Sequence, residues 1–259
     1  LKKDIIISSE DCNEELTSIF IGGGTPTSLT HEQLDRLIGY IIKAFDIEDS
    51  EGRILYRADR NGKGILEFTV EAGRPDSITR EKFEVLYRRN VNRISINPQT
   101  MKDETLKFIG RNHTVEQVRQ AYALAREVGF DNINMDIIVG LPNEDINHIN
   151  KTLEYISNLK PDSLTIHSLA LKRAARLNQE KTLWTENSKL AGLEEVYNYK
   201  ESEIYKMHEM SLQCAYKMGM TPYYLYRQKN IAGNLENVGY TLKNKECVYH
   251  LLMMGEKHS

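Results

Sequence analysis

The chain has 259 residues, of which 40% are hydrophobic and 27% are charged, and its formal net charge is −3. These totals are typical of a globular protein with one large domain or two smaller ones, and they exclude an overall positive charge that would attract nucleic acid or anionic lipid. No apolar run approaches the roughly 20 residues of a membrane span, so we expect neither such a span nor a signal peptide. The cysteines, Cys12, Cys214 and Cys247, are odd in number and widely spaced. That usage predicts a reducing, cytoplasmic environment rather than a disulfide framework.

Strands and helices are predicted to alternate through the first two thirds of the chain. Apolar runs that end in glycine, proline or polar residues are typical of strands, and they lie at 19–21, 65–73, 92–100, 132–142 and 162–171. Helix starts are predicted at the Thr30–Gln33 capping box, at caps Thr79 and Asp103, at the Thr114–Gln117 box and near residue 145. Residues 46–64 are rich in charge and are predicted to form a surface excursion.

The order of these elements predicts βαβ units and therefore an α/β protein with a parallel sheet. The strand centres are nearly continuous apolar runs, as expected for a sheet that is covered on both faces. A doubly wound sheet and a whole or partial barrel both fit this order. From about residue 190 the pattern changes to one long helix, followed by a tyrosine-rich strand in "TPYYLYRQKN".

Three consecutive glycines, Gly22 to Gly24, end the first strand in "IFIGGGTPT". One or two glycines would be enough for a turn with positive φ. Three in a row favour a backbone that something approaches more closely than a Cβ allows.

Polar or small residues follow each of the five strands. In parallel α/β proteins, ligands bind at the carboxyl ends of the strands. Taken singly, a carboxylate there is often a helix cap and a strand histidine is often a core residue. Together they predict a concave polar floor. The residues are Gly22, Gly23, Gly24, Thr25, Glu71, Asn97, Gln99, Asp136, His167, Ser168 and Ala170.

Several segments resemble the oxygen-independent coproporphyrinogen III oxidases (dehydrogenases) of the radical S-adenosylmethionine superfamily, namely "FIGGGTPTSL", "FTVEAGRPDSITREK", "RISINPQTMKDETLKFIGRNHTVEQ", "NINMDIIVGLPNED" and "PYYLYRQKNIAGNLENVGY". The resemblance covers residues 17–178 and 218–254. It implies an α/β fold: a partial (β/α)6, TIM-like barrel of parallel strands with a C-terminal helical and β extension. Residues 1–178 would form the barrel core, and residues 179–259 would complete the barrel and cover its mouth.

The resemblance also implies the cofactors S-adenosylmethionine and a 4Fe–4S cluster. The methionine amine and carboxylate would contact the bare backbone of Gly22, Gly23, Gly24 and Thr25. Glu71 would accept hydrogen bonds from that amine or from ligand hydroxyls. Gln99 and Arg111 would lie near the ribose hydroxyls and the carboxylate. Asp136 would bind the ribose, and Ala170 would lie beside the adenine.

The reaction implied is the oxidative decarboxylation of coproporphyrinogen III propionates to vinyl groups, in haem biosynthesis. An electron donor such as flavodoxin or ferredoxin would reduce the cluster, and the radical made from S-adenosylmethionine would take hydrogen from a propionate β-carbon. Because the tetrapyrrole carries carboxylates, basic and aromatic residues are substrate candidates: Arg176, Tyr226 and Arg227.

The chain departs from the family in its cysteines. The family holds its cluster with a C-x3-C-x2-C loop, which this sequence does not contain. The resemblance therefore assigns no metal ligand within these residues. Either the loop lies upstream of Leu1, which we expect, or the protein is not a radical enzyme.

Two other functions remain open at this stage. Some members of the superfamily are haem-binding chaperones, which share the fold but not the reaction. A phosphate-binding barrel such as an aldolase or isomerase would need a lysine or second carboxylate at a strand end, and Lys172 is the only nearby lysine.

Overall fold

The computed structural model describes residues 1–12, 16–57, 64–169, 201–227 and 235–255. The chain divides into two compact units, each of which is described by itself. Unit 1 comprises Leu1–Asn97, Glu116–Asn134 and Cys247–Ser259, and unit 2 comprises Pro98–Val115 and Met135–Glu246.

From residue 18 to residue 168, the described strands and helices follow the order predicted from the sequence, whereas the helix at Lys2–Asp11 was not predicted. The strands are β1 Ser18–Ile21, β2 Glu67–Gly73, β3 Arg93–Gln99, β4 Ile133–Val139, β5 Ser163–Ser168, β6 Thr221–Tyr226 and β7 Asn237–Thr241. The helices are α1 Lys2–Asp11, α2 His31–Ala44, α3 Arg80–Arg88, α4 Asp103–Phe108, α5 Val115–Val128, α6 Ile146–Leu159, α7 Glu201–Lys217 and α8 Val248–Met254. The strands form one sheet with the order β1-β2-β3-β4-β5-β7-β6.

Unit 1 contains a parallel arrangement of β1, β2 and β3. Helix α2 follows β1 and begins at the predicted capping box, in which Thr30 accepts from the Gln33 amide and the Gln33 side chain accepts from the Thr30 amide. Its apolar face buries side chains such as Leu34 and Ile38, which are fully inaccessible. Burial of this helix face fixes α2 against the core, and with it the connection from the carboxyl end of β1 to α2.

Unit 2 contains the late strands. β7 pairs antiparallel with β5 on one side and with β6 on the other. The predicted strand in "TPYYLYRQKN" is therefore present, as β6. Of the predicted long helix, residues 201–217 are helical and its earlier part lies outside the described residues.

Two details of the predicted pattern are wrong. Residues 46–57 are not a surface excursion, because Ile47 and Ile54 are only 4% and 1% exposed and Glu48 forms an antiparallel bridge with Ile54. Asp103 does not cap α4. It is the first residue of that helix, and its Oδ1 accepts from the amide of Val115 at 2.7 Å, at the start of α5.

The predicted division near residue 178 falls in a part of the chain outside the described residues, and it stays a prediction.

Candidate active site

The glycines after β1 have three different environments. A Cβ on Gly22 would lie 2.4 Å from Phe20 Cε1 and 2.8 Å from Glu71 Oε2, so the absence of a side chain lets these two groups approach. Gly23 has a φ of +82°, which L side chains rarely adopt. Nothing lies within 4 Å of a Cβ built on Gly23 or Gly24. All three glycines are exposed, so their backbone is accessible.

The turn that follows the glycines is anchored to the end of β2. Thr25 precedes a short 3-10 helix, Pro26–Ser28. The Thr27 hydroxyl is fully buried and donates to the carbonyl of Ala72 at 2.6 Å, while Lys82 Nζ donates to the carbonyl of Thr27 at 2.6 Å. The position of the glycines is therefore fixed by the core of unit 1 and not by the loop alone.

Glu71 is oriented by a chain of hydrogen bonds in unit 1. Asn134 Nδ2 donates to Ser95 Oγ at 3.1 Å, and Ser95 Oγ donates to Asn97 Oδ1 at 2.6 Å. Asn97 Nδ2 in turn donates to Glu71 Oε1 at 3.1 Å. This contact leaves Oε2 as the carboxylate oxygen closest to Gly22.

Accessible glycine amides beside an oriented carboxylate suit a ligand that carries both an ammonium and a carboxylate group. The amides donate to the anion and the glutamate accepts from the cation. A cavity of about 760 Å³ borders Gly22, Gly23, Gly24 and Thr25, and its other walls include apolar side chains of β1 and α2.

In unit 2, Gln99 has a strained backbone at the end of β3. Its φ is +68°, in the left-handed region, and its side chain is largely buried. The next residue is fixed, since Thr100 Oγ1 donates to the buried Glu144 carboxylate at 2.6 Å. Burial raises the pKa of Glu144, and this effect is larger than the lowering of the pKa by the hydrogen bond from Thr100. Arg111 is half-buried and follows α4.

Asp136 of β4 and Tyr226 of β6 are joined through His167 of β5. His167 Nε2 lies 3.7 Å from Asp136 Oδ2, and His167 Nδ1 lies 3.3 Å from the Tyr226 hydroxyl. Burial, and then the charge of Asp136, raise the pKa of Tyr226. Arg227 is exposed, and its Nη2 lies 3.2 Å from Glu236 Oε1.

The structure thus brings predicted site residues together in each unit: Gly22, Glu71 and Asn97 in unit 1, and Asp136, His167 and Tyr226 in unit 2. Ala170 and Arg176 lie outside the described residues. The hydrogen bonds that orient Glu71 were not predicted. Their signal is the alternation of Ser95, Asn97 and Gln99 along β3, which places three polar residues on one face of the strand.

The family model of the radical SAM superfamily matches residues 6–156. The chain belongs to this superfamily. Membership implies S-adenosylmethionine and a 4Fe–4S cluster as cofactors, as the resemblance predicted.

Its relatives carry more than one name. The chain is 44% identical over 242 residues to the oxygen-independent coproporphyrinogen-III oxidase-like protein HemZ of Bacillus subtilis. This match covers 93% of this chain and 43% of HemZ. It is 36% identical over 158 residues to the heme chaperone HemW of the same organism, over 61% of this chain and 38% of HemW.

The fold is similar to that of coproporphyrinogen III oxidase (HemN) from Escherichia coli. The TM-score is 0.68 at 19% identity, over 94% of this chain and 47% of that one. This similarity confirms the predicted α/β fold with a partial, TIM-like barrel. The radical SAM chain spans less than half the length of these three proteins.

The two cofactors fit this chain differently. The Gly22–Gly24 backbone and the Glu71 carboxylate fit the amino-acid end of S-adenosylmethionine. The described residues do not provide a site for the cluster: within these ranges no three His, Cys, Asp or Glu side chains could hold a metal ion, and Cys247 is buried.

None of the helices in the described part of the chain combines the length and apolar character needed to cross a membrane.

Proposed function

We propose that this chain is the S-adenosylmethionine-binding part of an enzyme that oxidatively decarboxylates the propionates of coproporphyrinogen III. The observation that carries the proposal is the accessible Gly22–Gly24 backbone beside a Glu71 carboxylate whose orientation Asn97 fixes.

Each predicted residue has a stated task in this proposal. Gly22, Gly23, Gly24 and Thr25 bind the α-carboxylate and amine through the backbone, and Glu71 accepts from the amine. Gln99, Arg111 and Asp136 bind the carboxylate and the ribose, and Ala170 lies against the adenine. Together with a reduced cluster, the cofactor supplies the one-electron chemistry that removes hydrogen from an unactivated carbon.

The substrate side rests on charge. A tetrapyrrole with several carboxylates needs cationic partners, for which Arg176 and Arg227 are the candidates, with Tyr226 as an aromatic one. Arg227 is already paired with Glu236, so a substrate carboxylate must displace that partner. A flavodoxin or ferredoxin of the cytoplasm would donate the electron.

The reaction requires three cluster-binding thiolates that Cys12, Cys214 and Cys247 do not provide, because their spacing in this chain is not that of the family's loop. We therefore expect those thiolates elsewhere in the full-length protein, and the tests below use that protein.

A haem chaperone is the second candidate, because the similarity to HemW extends over 61% of this chain. It would use the same fold to bind haem without decarboxylating a porphyrinogen.

The deciding experiment incubates the reconstituted full-length protein without oxygen, together with coproporphyrinogen III, S-adenosylmethionine, a reductant for the cluster such as reduced flavodoxin, and a one-electron acceptor. Vinyl products are followed by mass spectrometry. Glu71→Gln should abolish product and weaken S-adenosylhomocysteine binding. Glu84→Gln, on the exposed face of α3, should change neither. No decarboxylation together with one-to-one haem binding would overturn the proposal in favour of the chaperone.

A further inference from the structure

Asp136, His167 and Tyr226 form a side-chain cluster in unit 2, with one residue from each of three strands. We propose that His167 is a positioning residue, which together with Tyr226 fixes the Asp136 carboxylate for the ribose hydroxyls of the bound nucleoside. This inference rests on the proposed function, and it changes the expected role of Tyr226 from substrate contact to support of His167.

The proposed arrangement uses one tautomer of His167. Nε2 faces the Asp136 carboxylate, which can only accept, and in this arrangement Nε2 carries the proton. Nδ1 is then an acceptor, and it receives the O–H of Tyr226 at 3.3 Å. The raised pKa of Tyr226 keeps that phenol protonated and able to donate.

Tyr226 is itself held in place. Its ring lies parallel to that of Tyr224, with centroids 6.3 Å apart and an interplanar angle of 4°. The Tyr224 hydroxyl lies 3.3 Å from Thr165 Oγ1 on β5. Tyr226 also lies opposite Asn237 in the β6–β7 pairing, and Asn237 Oδ1 accepts from the amide of Ser168 at 2.8 Å. The imidazole of His167 therefore lies between Asp136 and Tyr226, both of which belong to strands rather than loops.

The contact between His167 and Asp136 leaves room for a ligand to tighten it. The 3.7 Å separation is within ion-pair range but longer than a hydrogen bond. Closing it needs a side-chain shift of roughly 1 Å, and such contacts often shorten when a ligand binds. Both side chains remain accessible, at 25% for His167 and 18% for Asp136.

The test compares two ligands, S-adenosylhomocysteine and its 2′-deoxyribose analogue, by isothermal titration of the full-length protein. The quantity measured is the ratio of their affinities, which reports the sugar hydroxyls and not the rest of the ligand. His167→Phe keeps a ring but removes both nitrogens, Tyr226→Phe removes only the hydroxyl, and His167→Gln retains an N–H near the position of Nε2.

The wild type should prefer the ribose ligand. His167→Phe should reduce that preference about tenfold, Tyr226→Phe should reduce it less, and His167→Gln should restore most of it. A preference that His167→Phe and Tyr226→Phe both leave at the wild-type value would overturn the positioning role, as would a wild type without preference. No binding of either ligand to the wild type would instead overturn the proposed function. If His167→Phe unfolds, Tyr226→Phe and His167→Gln still decide the question.

Discussion

Replacing Gly22 by alanine should disturb both the packing of unit 1 and the candidate site. The new Cβ would lie 2.4 Å from Phe20 Cε1 and 2.8 Å from Glu71 Oε2, both below the 3.0 Å that real Cβ contacts essentially never undercut. Neither neighbour can move freely. The Phe20 ring stacks on that of Tyr249 at a centroid distance of 4.8 Å, and Asn97 holds the Glu71 carboxylate.

The expected size of the effect follows from these contacts. Overpacking of this kind costs about 1–3 kcal/mol, which is roughly 2–10 °C in the melting temperature of a domain of this size. If Glu71 shifts to relieve the clash, its hydrogen bond to the ligand amine is lost, and affinity for S-adenosylhomocysteine should fall about tenfold or more.

Gly24→Ala is the matched control, because a Cβ there has no neighbour within 4 Å and the backbone needs no positive φ. Its melting temperature should stay within about 2 °C of wild type. Its ligand affinity should nevertheless fall, since a ligand that approaches this backbone would meet the new methyl group. Thermal unfolding and isothermal titration of the full-length protein measure the two effects. Equal melting temperatures for Gly22→Ala and Gly24→Ala would refute the packing argument, and unchanged affinity in Gly24→Ala would refute the approach to the backbone.

Three further predictions concern buried or paired groups. Glu67→Ala should lower the free energy of unfolding by about 1–3 kcal/mol and expose Cys247 to alkylation, because the buried Glu67 carboxylate accepts from the Cys247 thiol and two amides of its segment. In the wild type, burial raises the pKa of Cys247 to about 12, so alkylation at about pH 8, followed by mass spectrometry, should leave it unmodified; equal labelling of the two proteins would contradict this. The Arg89 guanidinium lowers the pKa of Asp35, so that pair stabilises the fold above about pH 4 and is lost as the pH falls through the lowered pKa. Asp35→Asn should therefore cost roughly 0.5 kcal/mol at neutral pH in urea unfolding, and a loss that persists at about pH 2 would argue against the pair. Burial raises the pKa of Glu144, so the wild type should lose stability relative to Glu144→Gln as the pH rises through that pKa. Thermal unfolding measures the difference in stability, and a Glu144→Gln variant that is still more stable than the wild type below pH 4.5 would contradict this explanation.

The sequence predicted the features that depend on neighbours along the chain. The cap at Thr30 and the one at Thr79 are four-residue patterns, and both are confirmed. Nearly continuous apolar runs located β1 to β5, because a sheet covered on both faces buries successive side chains. Period-3.6 hydrophobicity located the helices between them, because each helix buries one face. The burial of Ile47 and Ile54 was not predicted, because one isolated isoleucine and the short run Ile54-Leu55-Tyr56 among charged residues form no period.

Features that depend on pairing between distant segments were not predictable. The hydrogen bond from Asn97 to Glu71 needs the register of β2 against β3, which includes a shift between Glu71 and Gly73. The contact between His167 and Asp136 requires two strands to be adjacent at matching heights. The sequence predicts one role for all three glycines, a close approach to the backbone. In the structure, Gly22 leaves no space for a Cβ and Gly23 has a positive φ, whereas Gly24 has neither constraint.

Unit 1 cannot complete its folding during synthesis until residues 247–249 have been made. These residues supply the hydrogen-bond donors for Glu67, and the first of them lies 180 positions after it. Until then, the nascent chain holds a carboxylate at the start of β2 that is designed for burial but has no partners from that segment. Removal of α8 would take away two of these donors, the amides of Val248 and Tyr249. The burial of the Glu67 carboxylate in β2 thus depends on residues 247–249, so deletion of these residues should disturb β2.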